Sequence, residues 1–151
     1  MKLELRTIDD NIKNAVELLT VFDNQKQYIA SNKASMETAA KDAYRKIARP
    51  FAIYADGKIV GFTMFAVELN SCDPNDRYWL WRFMIDKDSQ GMGYGSAALK
   101  TIIDYFKCHG ADHILLSTKA SNTHALTLYR KYHFEETGEM NGDEMVLRLN
   151  L

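Results

Sequence analysis

Cysteine and proline are scarce here, with two of each among 151 residues, and long apolar runs and blocks of one charge are missing altogether. Cys72 and Cys108 form no Cys-x-x-Cys pair, which excludes a disulfide framework or a zinc cluster and reads as buried or idle thiols in a reducing compartment. The prolines mark no domain break, and neither a repeat nor a low-complexity linker occurs. With a formal net charge of −1 and no tract of lysine and arginine, no nucleic-acid partner is expected. Met1 to Arg6 lacks the apolar core of a signal peptide, and no segment has the length of a membrane span. A cytoplasmic protein with no membrane partner is therefore the expectation. His109, His113, His124 and His133 have neither the spacing nor the carboxylate partners of a metal site, so no metal is expected.

What is present is a chain that is 46% hydrophobic, long enough for one domain spanning 1–151 that needs no staple. Leu3 to Ile8 reads as a strand. Ile12, Ala15, Val16 and Leu19 recur at helical spacing behind Asp9-Asp10, and Met36, Ala40, Ala43 and Ile47 predict a second helix that Pro50 stops near Arg49. Phe51–Ala55 and Ile59–Val67 are β-prone runs joined by Asp56-Gly57, a strong hairpin signal, and Arg77–Ile85 is a third run. Leu99, Ile102, Ile103 and Phe106 then mark an amphipathic helix at i, i+3, i+4, i+7, followed by a strand at His113–Thr118 and a helix at Thr123–Tyr132. Phe134–Glu139 and Glu144–Leu149 close the chain as a hairpin around Asn141-Gly142. The order β-α-α-β-β-β-α-β-α-β-β belongs to an α+β fold with a mixed sheet.

The stretch from Ile85 to Ser96 is the most informative. Gly91, Gly93 and Gly95 alternate between a strand end and an amphipathic helix, so free amides and a helix dipole converge on one place, as an anion such as pyrophosphate requires. A ligand-free turn accounts poorly for three glycines before an unbroken helix. A P-loop needs Gly-Lys-Ser/Thr, and no lysine follows. Gly93 to Ala98 formally matches a dinucleotide fingerprint, but the following strand ends Ser117-Thr118-Lys119 without the acid that fingerprint expects.

Gln90-Gly91-Met92-Gly93-Tyr94-Gly95 resembles the Gln/Arg-x-x-Gly-x-Gly/Ala pattern of the GCN5-related N-acetyltransferase (GNAT) superfamily. Asn122 to Phe134 is similar to a second pattern of the family, Asn…Ala…Leu-Tyr-x-x-x-Gly-Phe, with His133 standing where glycine is usual. The resemblance covers nearly the whole chain and implies the GNAT fold and an acetyl-CoA-dependent N-acetyltransferase. It implies that Gln90, Gly91, Met92, Gly93, Tyr94, Gly95 and Ser96 hold the coenzyme pyrophosphate. Backbone groups of Phe83, Met84 and Ile85 would bind the pantetheine arm, Asn122 would contact the coenzyme, and Tyr129 would sit beside its sulfur. The expected partner is a small-molecule amine, and a homodimer is compatible with it.

Acyl transfer to an amine requires that the amine lose a proton, that an oxyanion be stabilised and that the thiolate be protonated. Alkyl ammonium groups hold their proton to about pH 10, and a strand amide at Met84 or Ile85 suits the oxyanion. Asn122 and Tyr129 are seven residues apart on one helix face, a spacing that suits a core tyrosine and a general acid equally, and it is the resemblance to the family motif that implies the general acid for Tyr129. Glu68 at the end of the long hairpin strand is the candidate base, with a solvated strand-end carboxylate as the plain alternative. Trp79 and Trp81 share a face, as core or as an acceptor platform.

Within the superfamily the chain is most similar to bacterial spermine/spermidine acetyltransferases, through Asn24 to Ile29, Ile59 to Met64 and Trp79 to Asp86. A polyamine site needs carboxylates spaced to meet successive ammonium groups. Glu37, Asp42, Glu68, Asp73 and Asp76 are available, with Glu37, Glu68 and Trp81 as the expected substrate contacts. Trp81 stands where such enzymes commonly carry an acid. Another small amine, drug-like or of the amino-acid type, is the second reading, and a non-catalytic acetyl-CoA-binding regulatory module the third.

Overall fold

Two hairpins and a splayed strand pair organise the molecule, as seen in a computed structural model that describes residues 1–151. The elements are β1 (Leu3–Thr7), α1 (Lys13–Leu18), α2 (Asn32–Ala40), β2 (Ala48–Ala55), β3 (Lys58–Val67), β4 (Tyr78–Ile85), α3 (Tyr94–Cys108), β5 (His113–Thr118), α4 (Thr123–Lys131), β6 (Glu135–Asn141) and β7 (Glu144–Asn150). Seven strands form one sheet in the order β1-β2-β3-β4-β5-β7-β6, and every neighbouring pair except parallel β4 and β5 is antiparallel. This is the expected α+β order.

Residue chemistry explains both faces. Leu99, Ile102, Ile103 and Phe106 of α3 are all buried, joining Phe51, Phe65, Leu80, Leu116 and Leu126 in a core under α3 and α4. Each such side chain removed from water contributes about 1.5–3 kcal/mol. On the opposite face Ala52, Phe62, Met64 and Met84 pack against Val16 of α1, with Met36 of α2 at the edge. In the β2–β3 turn Asp56 and Gly57 both have positive φ, 50° and 85°, the backbone that favours this dipeptide in a two-residue hairpin.

Three expectations are corrected. The second helix stops at Ala40, because Lys41 is already extended at φ −66°, ψ 146°, and the exposed, mostly charged residues 41–46 follow it. It buries Asn32 and Ser35 with Met36 partly buried beside them, while Ala40 and Ala43 are exposed, so of the expected apolar face only its first residue packs from the helix. Strand β2 begins at Ala48, ahead of Pro50, which is tolerated because β1 pairs only from Phe51 onward and leaves one side of Pro50 without a neighbour. In the last hairpin Asn141 pairs with Glu144, so the turn is Gly142-Asp143, one residue later than expected. Cys72 and Cys108 are free and exposed, which leaves the second of the two readings, idle thiols. No helix is long and apolar enough to cross a membrane.

Candidate active site

Strands β4 and β5 touch at a single register position, Trp79 opposite Leu115, and separate toward the carboxyl end of β4. The gap is a cavity of about 940 Å³ lined by Trp81 to Ile85 on one side and Leu116 to Lys119 on the other. Gln90, Gly91 and Gly95 close it at one end, and Asn122 and Tyr129 of the α4 region line it too. Phe83, Met84 and Ile85 lie on the side of β4 that lines the gap.

Glycine is required at the start of α3. Gly93, at φ 82°, is the N-cap residue, and Gly91 has φ 79°, a region that costs any other residue strain. The amides of Gly91, Met92, Gly93, Tyr94, Gly95 and Ser96 donate to no backbone carbonyl, and Ala97 is the first that does, to Gly93 O at 3.2 Å. A row of free donors at the positive end of a 15-residue helix fits a pyrophosphate. Gly95 is already helical, so its role is closeness to the cavity rather than an unusual φ. The Ser96 hydroxyl meets the Tyr132 hydroxyl at 2.8 Å, and Tyr132 also donates to Ser96 O at 2.9 Å, fastening α4 to the start of α3.

Asn122 donates to the Thr118 hydroxyl at 3.1 Å and precedes α4. Tyr129, two turns on, is half-buried, lines the cavity and forms no hydrogen bond to protein. Burial raises its phenol pKa well above the ordinary tyrosine value, so the hydroxyl keeps its proton at neutral pH and is available as a donor. His133 after the helix has φ 72°, the left-handed conformation that glycine adopts more easily.

Beside the large cavity lies a second one of about 290 Å³, lined by Tyr44, Glu68, Asp76, Trp79, Asn141 and others. The two share Leu80, Trp81, Arg82, Ser117 and Glu144. Trp81 reaches this junction through a β-bulge. Met64 pairs with Arg82 and Phe65 with Leu80, leaving Trp81 as the extra residue of β4. Its ring lies 5.3 Å from that of Tyr44, and the Arg82 guanidinium stands 5.2 Å from its centroid. Arg82 donates to the Ser35 hydroxyl at 3.2 Å and the Trp81 carbonyl at 3.1 Å. Burial lowers the Arg82 pKa, and the Glu144 carboxylate acts in the opposite direction.

The structure brings Glu68 and Trp81 together in the smaller cavity and Trp81 and Tyr129 in the larger. Glu68 is exposed and does not line the cavity that holds Tyr129. Glu37, exposed on α2, lines neither cavity. The sequence reading missed Glu144, the only carboxylate lining the larger cavity. It marked Asn24 to Ile29 only as a tract of resemblance and gave it no place at the site, whereas the segment from Val21 to Ala30 borders that cavity and is held by Gln25 to Gln90 and by Tyr28 to Ser121 at 3.2 Å. No motif spacing marks these residues, because the contacts join positions 65 and 93 residues apart in sequence.

Comparison with known proteins agrees with this geometry. Residues 16–134 match the model of the acetyltransferase (GNAT) family. A probable spermine N(1)-acetyltransferase of Bacillus subtilis subsp. natto is 35% identical, with 98% of this chain and 99% of that protein covered. The spermine/spermidine N(1)-acetyltransferase of B. subtilis strain 168 is 34% identical over the same shares. Among solved structures, spermidine N-acetyltransferase from Vibrio cholerae, in complex with CoA and spermine, superposes with a TM-score of 0.70 at 22% identity, covering 97% of this chain and 92% of that one. With its splayed β4 and β5, free amides at the start of α3 and a match over most of its length, the chain belongs to the GNAT family and is an acetyl-CoA-dependent N-acetyltransferase.

Proposed function

We propose that the acceptor is a polyamine, spermidine or spermine, bound in the smaller cavity and acetylated where that cavity meets the larger one. The observation that carries this reading is a division of charge. The larger cavity is lined by Lys26, Arg82 and Lys119 against one acid, whereas the smaller holds Glu68, Asp76 and Glu144 against Arg82. An anionic coenzyme suits the first and a polycation the second. The near full-length identity to spermine and spermidine acetyltransferases supports the same acceptor.

When bound, the co-substrate supplies an acetyl group on a thioester, and the rest is done by protein groups. Gln90 to Ser96 hold the pyrophosphate with backbone donors, and Asn122 holds the coenzyme from the other wall. Phe83 to Ile85 offer the free edge of β4 to the pantetheine arm, where a strand amide at Met84 or Ile85 stabilises developing negative charge. Tyr129 donates its proton toward sulfur. Trp79 fixes Asp76 by donating from its indole to the carboxylate at 2.7 Å, and Tyr44, Trp79 and Trp81 give the cavity aromatic walls for alkyl stems and ammonium groups. Glu68, at the exposed end, meets a distal ammonium.

An amine panel with acetyl-CoA, read by mass spectrometry, tests this. Spermidine and spermine are expected to be acetylated, and Glu68→Gln to raise KM more for spermine than for a monoamine. Glu37→Gln should leave both unchanged. Salt at 1 M, where screening acts within about 3 Å, should reduce the preference. Monoamines or aromatic amines that exceed spermidine tenfold in kcat/KM would remove the polyamine assignment and leave the acetyl-transfer chemistry standing.

A further inference from the structure

We propose that Glu144 is the catalytic carboxylate of this enzyme, docking the reacting ammonium and taking its proton, in place of any acid on β4. The inference rests on acetyl transfer to an amine and not on which amine is used.

The site is built by strand register. β5 pairs with β7 from Thr118 opposite Met145 to His113 opposite Asn150, so Glu144 lies one residue past the pairing, at the end of β5 where the gap opens. The tight turn at Gly142-Asp143 fixes its backbone from the other side through the Asn141–Glu144 pair. The Ser117 hydroxyl donates to Glu144 Oε1 at 2.7 Å, leaving Oε2 with no protein partner and the carboxylate in no ion pair. Glu144 is half-buried and is the only carboxylate lining both cavities, the larger with Tyr129 and the smaller with Glu68. An amine in the smaller cavity that reaches toward Tyr129 must therefore pass it.

The β4 positions at this junction are closed to the task. Leu80 is apolar, Trp81 is an indole and Arg82 is a cation. The charged and titratable groups lining the two cavities with Glu144 are Lys26 and Tyr28 from the segment before α2, Tyr44 beyond α2, Arg82 from β4, Lys119 beyond β5, His124 and Tyr129 from α4, and Glu68 and Asp76 across the smaller cavity. Lys119 is drawn to Asp143 at 3.5 Å, and Arg82 is tied to Ser35, so neither neutralises Glu144 by direct pairing.

The protons balance as follows. The ammonium gives one proton to Glu144, and the freed nitrogen lone pair forms the C–N bond to the acyl carbon. The C–S bond breaks with its electron pair on sulfur, which takes the Tyr129 hydroxyl proton. The second proton leaving nitrogen restores Tyr129, and the proton on Glu144 passes to solvent. Amide, free thiol and one released proton are the sum.

The test compares Glu144→Gln with the parent on spermidine, phenethylamine and glycinamide, using the fastest parent substrate, from pH 7 to pH 9.5. Without the carboxylate only amine that is already neutral reacts. With an alkyl amine the variant should fall about 10²–10³-fold in kcat/KM at neutral pH and recover about tenfold per pH unit toward the amine pKa near 10. With glycinamide, an α-amino group of pKa about 8, the loss should be about tenfold and the recovery complete at about pH 8. The parent profile should be flatter, and both proteins share the other titrating groups. The CoA-induced rise in Tm should be unchanged in the variant, which separates chemistry from folding. Ser117→Ala, which frees the carboxylate without removing it, should lower kcat by a smaller factor and keep the parent profile. A variant with the parent's rate and profile overturns the proposal, as does one whose lost activity follows a lost CoA response. A parent that prefers a monoamine removes only the polyamine reading, whereas a parent inactive on all three overturns this proposal together with acetyl transfer.

Discussion

Gln25 and Gln90 exchange two amide hydrogen bonds, Gln25 Nε2 to Gln90 Oε1 at 3.1 Å and Gln90 Nε2 to Gln25 Oε1 at 2.9 Å. Gln90 also donates to Ile85 O at 3.0 Å, and Gln25 Oε1 accepts from the Phe22 amide at 3.1 Å. This pair ties the segment between α1 and α2 to the loop that opens α3. Gln25→Ala should weaken CoA binding about fivefold, the worth of about 1 kcal/mol, because the bonds order the loop before the ligand arrives. At saturating co-substrate kcat should be nearly unchanged, and isothermal titration beside steady-state kinetics checks both.

Gly93→Asp should abolish the rise in Tm that CoA gives the parent by mass action on the native state. The nearest atom to a Cβ at Gly93 is Met1 Cε at 3.8 Å, so the variant meets no clash and folds. Aspartate tolerates positive φ better than most residues, yet it sets a negative charge among the free amides. A folded variant with the parent's thermal shift would remove the loop from the coenzyme site.

Tyr129→Phe should lower kcat about 10²–10³-fold while Kd for CoA stays near the parent's, since only the hydroxyl is lost. Burial raises the phenol pKa, so the protonated donor is fully present below its ordinary value of about 10 and persists above it. The parent's kcat should therefore show no loss from tyrosine ionisation up to about pH 10. Rapid-quench measurements of the chemical step decide whether Tyr129 donates to sulfur or only packs against Phe134, whose ring centroid is 5.7 Å away.

His133→Gly should stabilise the fold. His133 holds φ 72° with an exposed side chain, so the substitution relieves strain and removes no buried contact. Relief of about 1–2 kcal/mol, less the entropy that glycine adds to the unfolded chain, leaves about 0.5–1 kcal/mol. Tm should rise by about 1–4 °C at this chain length, with kcat unchanged.

Local signals carried most of the architecture. The Asp56-Gly57 turn, the spacing of Leu99 to Phe106 and the alternating glycines depend on near neighbours in sequence, and each appears in the structure where the sequence placed it. The second helix was misread because its buried positions are polar. Asn32 donates to Val16 O at 2.9 Å and Ser35 accepts from Arg82, so partners from distant segments made burial favourable where hydropathy predicted none.

That Gln90, Gly91, Gly95, Asn122 and Tyr129 group together was legible, because one turn or one helix face holds each set, and they line one cavity. The acceptor side was not. It is assembled from the bulge that swings Trp81 to the junction, the end of β3 that carries Glu68, and the β5–β7 register that brings Glu144 beside Ser117 across 27 residues of chain. Sequence alone determined the family, the fold and the glycine turn that opens α3. Only the tertiary structure decided which carboxylate lines the cavity that holds Tyr129, because strand pairing between segments distant in sequence sets that position and no local period encodes it.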